Sequence, residues 1–258
     1  MTETLTATTL GGLTLHKVMQ RAKYLNCMIY GDSGVGKTHL AGSADAVPEL
    51  RPVLMIDFEG GTESLVRNYP EVQQVRVETW DEMQAVYDEL HRGQHGFQTV
   101  ILDSLTEIQK FNMYSIMEEL ATKRPDLDQD VPGMREWGKN LEQMRKFVRG
   151  FRDLRMNTVF TALRKDDVDQ KTGVRTTMPS LSGKLAGEVA AFLDIVGYYY
   201  VKRVGQGEEA YDARLLLTKK TETIIAKDRT GTLPMIMDDP TMQSLWDLFK
   251  VKATSAAA

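Results

Sequence analysis

Residues 24–40 read YLNCMIYGDSGVGKTHL. An apolar run ends in a glycine-rich turn, then a lysine, a threonine and a helix-like segment. The turn GDSGVGKT fits G-x-x-x-x-G-K-[ST], with Gly31, Gly36, Lys37 and Thr38 at the fixed positions. Glycines let backbone N–H groups wrap an anion. The helix that follows points the positive end of its dipole at the same place. A strand before the turn and a helix after it are what this mechanism requires.

The stretch therefore reads as a phosphate cradle for ATP with Mg²⁺. The residues expected around the nucleotide are Gly31, Asp32, Ser33, Gly34, Val35, Gly36, Lys37, Thr38 and His39. Lys37 is expected at the β- and γ-phosphates and Thr38 on the metal. A second metal ligand is needed. TVILDS, 99–104, supplies Asp103 at the carboxyl end of a buried strand-like run, so Thr38 and Asp103 form the expected metal pair.

Outward from the cradle, short apolar runs alternate with helical patterns. NCMIYG (26–31), PVLMIDF (52–58), TVILDS (99–104) and NTVFTAL (157–163) are continuous and suit strands buried on both faces. Helices are expected at 37–45, 80–92, 105–122 and 136–155. This alternation predicts an α/β fold with a parallel sheet. After residue 190 the runs DIVGYYYVKRV, EAYDARLLLTKK and TETIIAKDR follow one another with turns between, which predicts an antiparallel edge. The organisation expected is an N-terminal arm over 1–22, one domain over 23–250 and a disordered tail over 251–258.

The chain has 258 residues, a net charge of −4, 42% apolar and 26% charged residues. This is ordinary for a globular cytoplasmic protein. No basic start followed by an apolar run opens the sequence, and no run reaches membrane-spanning length. The single cysteine, Cys27, makes no internal disulfide. The acidic balance argues against a broad DNA-gripping face, though not against a local basic groove.

Several motifs in order resemble the RecA-like ATPases. The strand after the cradle helix ends in IDFEGG, and its Glu59 matches the glutamate that polarises water in that family. VILDSLTEI resembles the family's Walker B strand. NTVFTALRK occupies the place of a strand ending in a polar sensor, but Thr161, Ala162 and Leu163 stand where the family often has an amide. The run 164–184 resembles a mobile loop that touches single-stranded DNA, here with Lys165, Lys171, Arg175 and Lys184. IIAKDR carries Lys227 and Arg229 as a K-x-R pair, which in the family reaches a neighbouring subunit's γ-phosphate.

The fold implied is a RecA-like P-loop NTPase core: a mostly parallel central sheet flanked by helices, with an antiparallel C-terminal edge. The resemblance is nearest to compact phage nucleotide-binding proteins, including Sak-type single-strand annealing ATPases. It implies a DNA-dependent ATPase with Glu59, Lys37, Lys227 and Arg229 as catalytic residues. It further implies single-stranded DNA as partner, a homo-oligomeric ring or filament with ATP between subunits, and a single-strand binding protein as helper. Two rivals share the cradle: a nucleotide-dependent scaffold or loader with weak turnover, and a small-molecule (nucleotide) kinase. The kinase needs an Arg-rich lid, and 164–184 offers only Arg164 and Arg175 against three aspartates.

Overall fold

The computed structural model describes residues 9–14, 24–124, 126, 128 and 130–255. Most of the expected arm, and residues 256–258 of the expected tail, lie outside the described residues. In chain order the elements are β1 (Thr9–Leu10), β2 (Leu13–Thr14), β3 (Asn26–Gly31), α1 (Lys37–Gly42), β4 (Val53–Asp57), β5 (Gln73–Arg76), α2 (Trp80–Arg92), β6 (Thr99–Asp103), α3 (Leu105–Lys123), α4 (Met134–Arg152), β7 (Asn157–Val168), β8 (Arg175–Pro179), α5 (Leu185–Phe192), β9 (Ile195–Val204), β10 (Tyr211–Leu217), β11 (Lys227–Asp228), β12 (Ile236–Asp238) and α6 (Met242–Ser255).

The main sheet runs β12-β10-β9-β3-β7-β6-β4-β5. From β9 to β5 every neighbouring pair is parallel. The C-terminal edge, β9-β10-β12, is antiparallel. The expected α/β class with an antiparallel edge therefore holds. The strand carrying Asp103 is not next to the cradle strand, because β7 lies between them.

Strand alternation explains the two cores. Met28 and Tyr30 face one side, with Ile56, Leu102 and Phe160, and pack beneath α2–α5. Cys27 and Ile29 face the other, with Met55, Ile101 and Val159, beneath α1 and α6. Burial on both faces is why these runs carry no polar alternation. Helix ends follow local chemistry. Thr79 accepts from Glu82 N while the Glu82 carboxylate accepts from Thr79 N, a capping box that starts α2. Gly93, at φ 73°, ends it.

Three expectations need correction, and one strand was not expected. The tail does not begin at 251, since α6 continues to Ser255. The late run 221–229 does not extend the meander: only Lys227–Asp228 is strand, and it pairs with β9. β5 gives no apolar strand signal, because QQVR is polar and lies at the sheet edge. The run 164–184 is not one irregular loop. β7 continues to Val168 and pairs antiparallel with β8, Arg164 opposite Pro179 and Val168 opposite Arg175.

Candidate functional site: the phosphate cradle and its acids

The cradle sits at the carboxyl end of β3. Gly34 and Gly36 have φ of 75° and 102°, where a side chain is strained. Gly31 is required for a different reason: a Cβ there would lie 2.1 Å from the Tyr199 carbonyl oxygen of β9. Lys37 folds back so that its ammonium donates to Asp32 O at 2.8 Å and Gly31 O at 3.3 Å. Burial pushes its pKa below the usual lysine value, opposed by the negative charges of Asp103, Glu59 and Asp32.

Thr38 and Asp103 come together as expected from the sequence. Thr38 Oγ1 donates to Asp103 Oδ2 at 2.6 Å. The other carboxylate oxygen accepts from the fully buried Thr161 hydroxyl. The Thr161 hydroxyl at the expected sensor position is therefore engaged on Asp103. A hydroxyl beside a buried carboxylate is a hard-oxygen donor set, which suits Mg²⁺. The glycine-lined turn that a Cβ would fill suits polyphosphate. Among the described residues no cluster of three or more His, Cys, Asp or Glu could hold a metal.

Glu59 lies exposed on the turn after β4. Asp57 Oδ1 accepts from the Glu59 and Gly60 amides at 3.0 and 2.8 Å, so the first acid of IDFE shapes the turn that presents the second. The Glu59 carboxylate accepts from Ser104 Oγ. Ser104 occupies the N-cap of α3 but makes no capping bond, so its hydroxyl serves Glu59 in place of the helix.

A cavity of about 400 Å³ opens beside Gly36, lined by His39, Tyr69, Tyr199, Arg214 and Asp239. His39 packs on Tyr69 with ring centroids 5.0 Å apart, and its Nε2 lies 2.9 Å from Asn68 Nδ2. Arg214 Nε lies 3.4 Å from Val35 O.

The basic residues expected on the 164–184 segment stand in different settings. Lys165 donates to Leu181 O at 2.5 Å. Lys171, Arg175 and Lys184 are exposed. Asp166 lies 3.8 Å from Arg175 and accepts from Thr177. Arg164, weighed from the sequence only as a lid arginine, reaches the cradle: its Nε donates to Asp32 Oδ1 at 2.6 Å.

Lys227 and Arg229 lie far from the cradle of their own chain. Lys227 pairs with Val196, the register partner of Met28, and Arg229 N donates to Asp194 O, whose own amide donates to Asn26 O, so the pair lies beside the amino-terminal half of β3. Lys227 thus lies level with Met28 and Arg229 with Asn26, three and five residues before Gly31, roughly 10 and 17 Å along the strand. The Lys227 ammonium donates to the carbonyls of Ala190, Ala191 and Leu193 at 2.8, 3.2 and 2.9 Å and closes the end of α5. Arg229 donates to Ala191 O at 2.7 Å and lies 3.4 Å from Asp194, with half of its side chain exposed.

Tyr199 and Arg214 carried no motif, and Ser104, Thr161 and Arg164 lay inside motifs without the roles the structure gives them. Each is placed by a strand or helix remote in sequence from its partner.

Cradle, acids and parallel sheet define a P-loop NTPase of the ATPase type. The chain belongs to the AAA domain family, whose profile matches residues 23–230. Among solved structures it is similar to the flagellar accessory protein FlaH from Methanocaldococcus jannaschii, at 11% identity over 83% of this chain and 85% of that one, with a TM-score of 0.47. It is also similar to an ATPase from the type III secretion system of pathogenic bacteria, at 15% identity over 67% of this chain and 50% of that one, with a TM-score of 0.41. No curated protein matches it. Among the described residues no helix is long and apolar enough to cross a membrane.

Proposed function

We propose that the protein is a RecA-like ATPase that binds single-stranded DNA and promotes strand annealing or homologous recombination, a phage-encoded protein of the Sak type working in the host cytoplasm. The observation that carries this reading is the direct tie between cradle and basic hairpin. Asp32 of the cradle and Arg164 at the base of β7–β8 are joined at 2.6 Å, and the hairpin carries exposed Lys171 and Arg175 beyond it. Exposed cations on a hairpin follow a phosphate backbone without reading bases.

In this reading Lys37 and the cradle amides bind the phosphates of ATP. Thr38 and Asp103 hold Mg²⁺, which supplies positive charge against the phosphate oxygens. Glu59, oriented by Ser104, aligns water for attack on the γ-phosphorus. The cavity beside Gly36 takes base and sugar between Tyr69, Tyr199 and Arg214. Arg229 acts on a neighbouring copy. Its distance from its own cradle suits a head-to-tail ring or filament, in which the end of one sheet meets the cradle of the next. A single-strand binding protein is the expected helper.

The scaffold or loader reading has one observation in its favour. Asp166, Asp167 and Asp169 share the hairpin with its cations, a mixed surface that also suits a protein partner.

The deciding experiment is ATP turnover with and without single-stranded DNA, on wild type, Glu59→Gln and Arg229→Ala. DNA should raise wild-type turnover, both variants should lose it, and mixing the two should restore part of it across shared interfaces. Turnover that ignores DNA sinks the recombination reading. Stimulation by a nucleoside monophosphate would instead identify a kinase.

A further inference from the structure

Gly31 and Leu163 are register partners on adjacent parallel strands. The residues that follow them, Asp32 and Arg164, therefore leave the sheet side by side, and Arg164 Nε donates to Asp32 Oδ1 at 2.6 Å. Arg164 directly follows Thr161, Ala162 and Leu163, the stretch where the sequence leads one to expect a polar sensor. The Thr161 hydroxyl, earlier in the same strand, is held by Asp103. The Arg164 guanidinium also stands 3.5 Å from Asp166 and touches the Tyr198 hydroxyl.

Two features make the Asp32–Arg164 pair exchangeable. It is open to water, with 32% of the Arg164 side chain and 58% of the Asp32 side chain exposed, and ion pairs of this kind are weak. It also stands beside the end of the cradle, because the Lys37 ammonium, the group expected at the β- and γ-phosphates, is 2.8 Å from Asp32 O. A terminal phosphate carries more charge than a carboxylate and offers a guanidinium more acceptors in a matching plane.

The geometry points to Arg164 as the nucleotide-state reader of this chain: it holds Asp32 when the terminal phosphate of a nucleoside triphosphate is absent and exchanges Asp32 for that phosphate when it is present. Arg164 is also the residue at which β7 passes into the β7–β8 hairpin, opposite Pro179. The exchange moves the root of the hairpin and so reports nucleotide state to it. This rests on the ATPase reading above and adds the route by which the cradle signals.

The test is the affinity of fluorescent ADP and of a fluorescent non-hydrolysable ATP analogue, with Mg²⁺, for wild type, Arg164→Ala, Arg164→Lys and Asp32→Asn. Arg164→Ala should weaken the analogue about tenfold more than it weakens ADP. Arg164→Lys should recover only part of that preference. Asp32→Asn, which frees the guanidinium, should raise the preference for the analogue. Amide hydrogen exchange over 164–181 should differ between the two nucleotides in wild type and lose that difference in Arg164→Ala. Equal losses for both nucleotides, or none, overturn the assignment of Arg164 and leave the ATPase reading standing. Identical exchange with the two nucleotides in wild type overturns the transmission to the hairpin. Wild type that binds neither nucleotide overturns both this inference and the reading beneath it.

Discussion

The Thr161 hydroxyl donates to Oδ1 of Asp103, a buried carboxylate whose Oδ2 accepts from Thr38. Both oxygens are thus fixed before any ligand arrives. Thr161→Val keeps the shape and removes the donor. Partners of this kind, one step behind a ligand, typically change metal affinity by 10–100-fold. We expect Mg²⁺-dependent nucleotide affinity to fall about tenfold, and stability by about 1–2 kcal/mol. Thr161→Ser should behave as wild type. A Mg²⁺ titration of fluorescent nucleotide binding checks this, and a Val variant indistinguishable from wild type would remove Thr161 from the metal site.

Glu59 and Ser104 should separate by magnitude. Glu59→Gln should lower turnover by about 10²-fold or more, the range for a positioned base. Ser104→Ala should lower it less, about tenfold, because the carboxylate remains but loses its guide. Nucleotide affinity should hold in both. Parallel turnover and binding measurements decide the point; loss of binding in Glu59→Gln would place Glu59 in the cradle and deny it a role on water.

Gly31 and Gly34 test two different demands for glycine. At Gly31 a Cβ meets backbone, the Tyr199 carbonyl, at 2.1 Å. Gly31→Ala must push β3 from β9 and should cost about 3 kcal/mol or prevent folding. Gly34 has φ 75° with open space around it, so Gly34→Ala should cost only about 1–2 kcal/mol of conformational strain. Urea denaturation of both variants gives the comparison. Equal midpoints would contradict the packing argument.

Lys227 closes α5 through three carbonyls, whereas Arg229 is half exposed. Lys227→Ala should lower stability by about 1–3 kcal/mol, from lost bonds and lost charge at a helix C-terminus. Arg229→Ala should lower stability less and turnover more. A thermal melt beside a turnover assay reads both; the reverse ranking would exchange the two roles.

Cys27 is fully buried, and burial raises its pKa to about 12, with the Asp194 charge adding to the effect. In the unfolded chain the thiol titrates near its ordinary value of 9.0. Between those values the unfolded state has lost a proton that the folded state keeps, so stability falls as pH rises from about 9 towards 12. The slope approaches roughly 1.4 kcal/mol per pH unit for this one group. Cys27→Ala should lose less stability than wild type between pH 8 and 10.5. Urea midpoints at the two pH values test it, and matching slopes would show that the thiol ionises in the folded protein.

What the sequence determined by itself was local. GDSGVGKT fixed a cradle because each residue acts through its own backbone or through the next helix turn. The continuous apolar runs fixed buried parallel strands, and Thr79, Glu82 and Gly93 fixed the ends of α2. Asp103 was legible because its strand had to end at the cradle. The tertiary structure alone decided the partners. Glu59 meets Ser104 across 45 residues, Asp103 meets Thr161 across 58, Asp32 meets Arg164 across 132 and Val35 meets Arg214 across 179. These contacts depend on strand order, above all on β7 entering between β3 and β6. Hydrophobic periodicity says which face a residue takes but not which strand lies beside it, and bonds a few ångströms long are set by the neighbour.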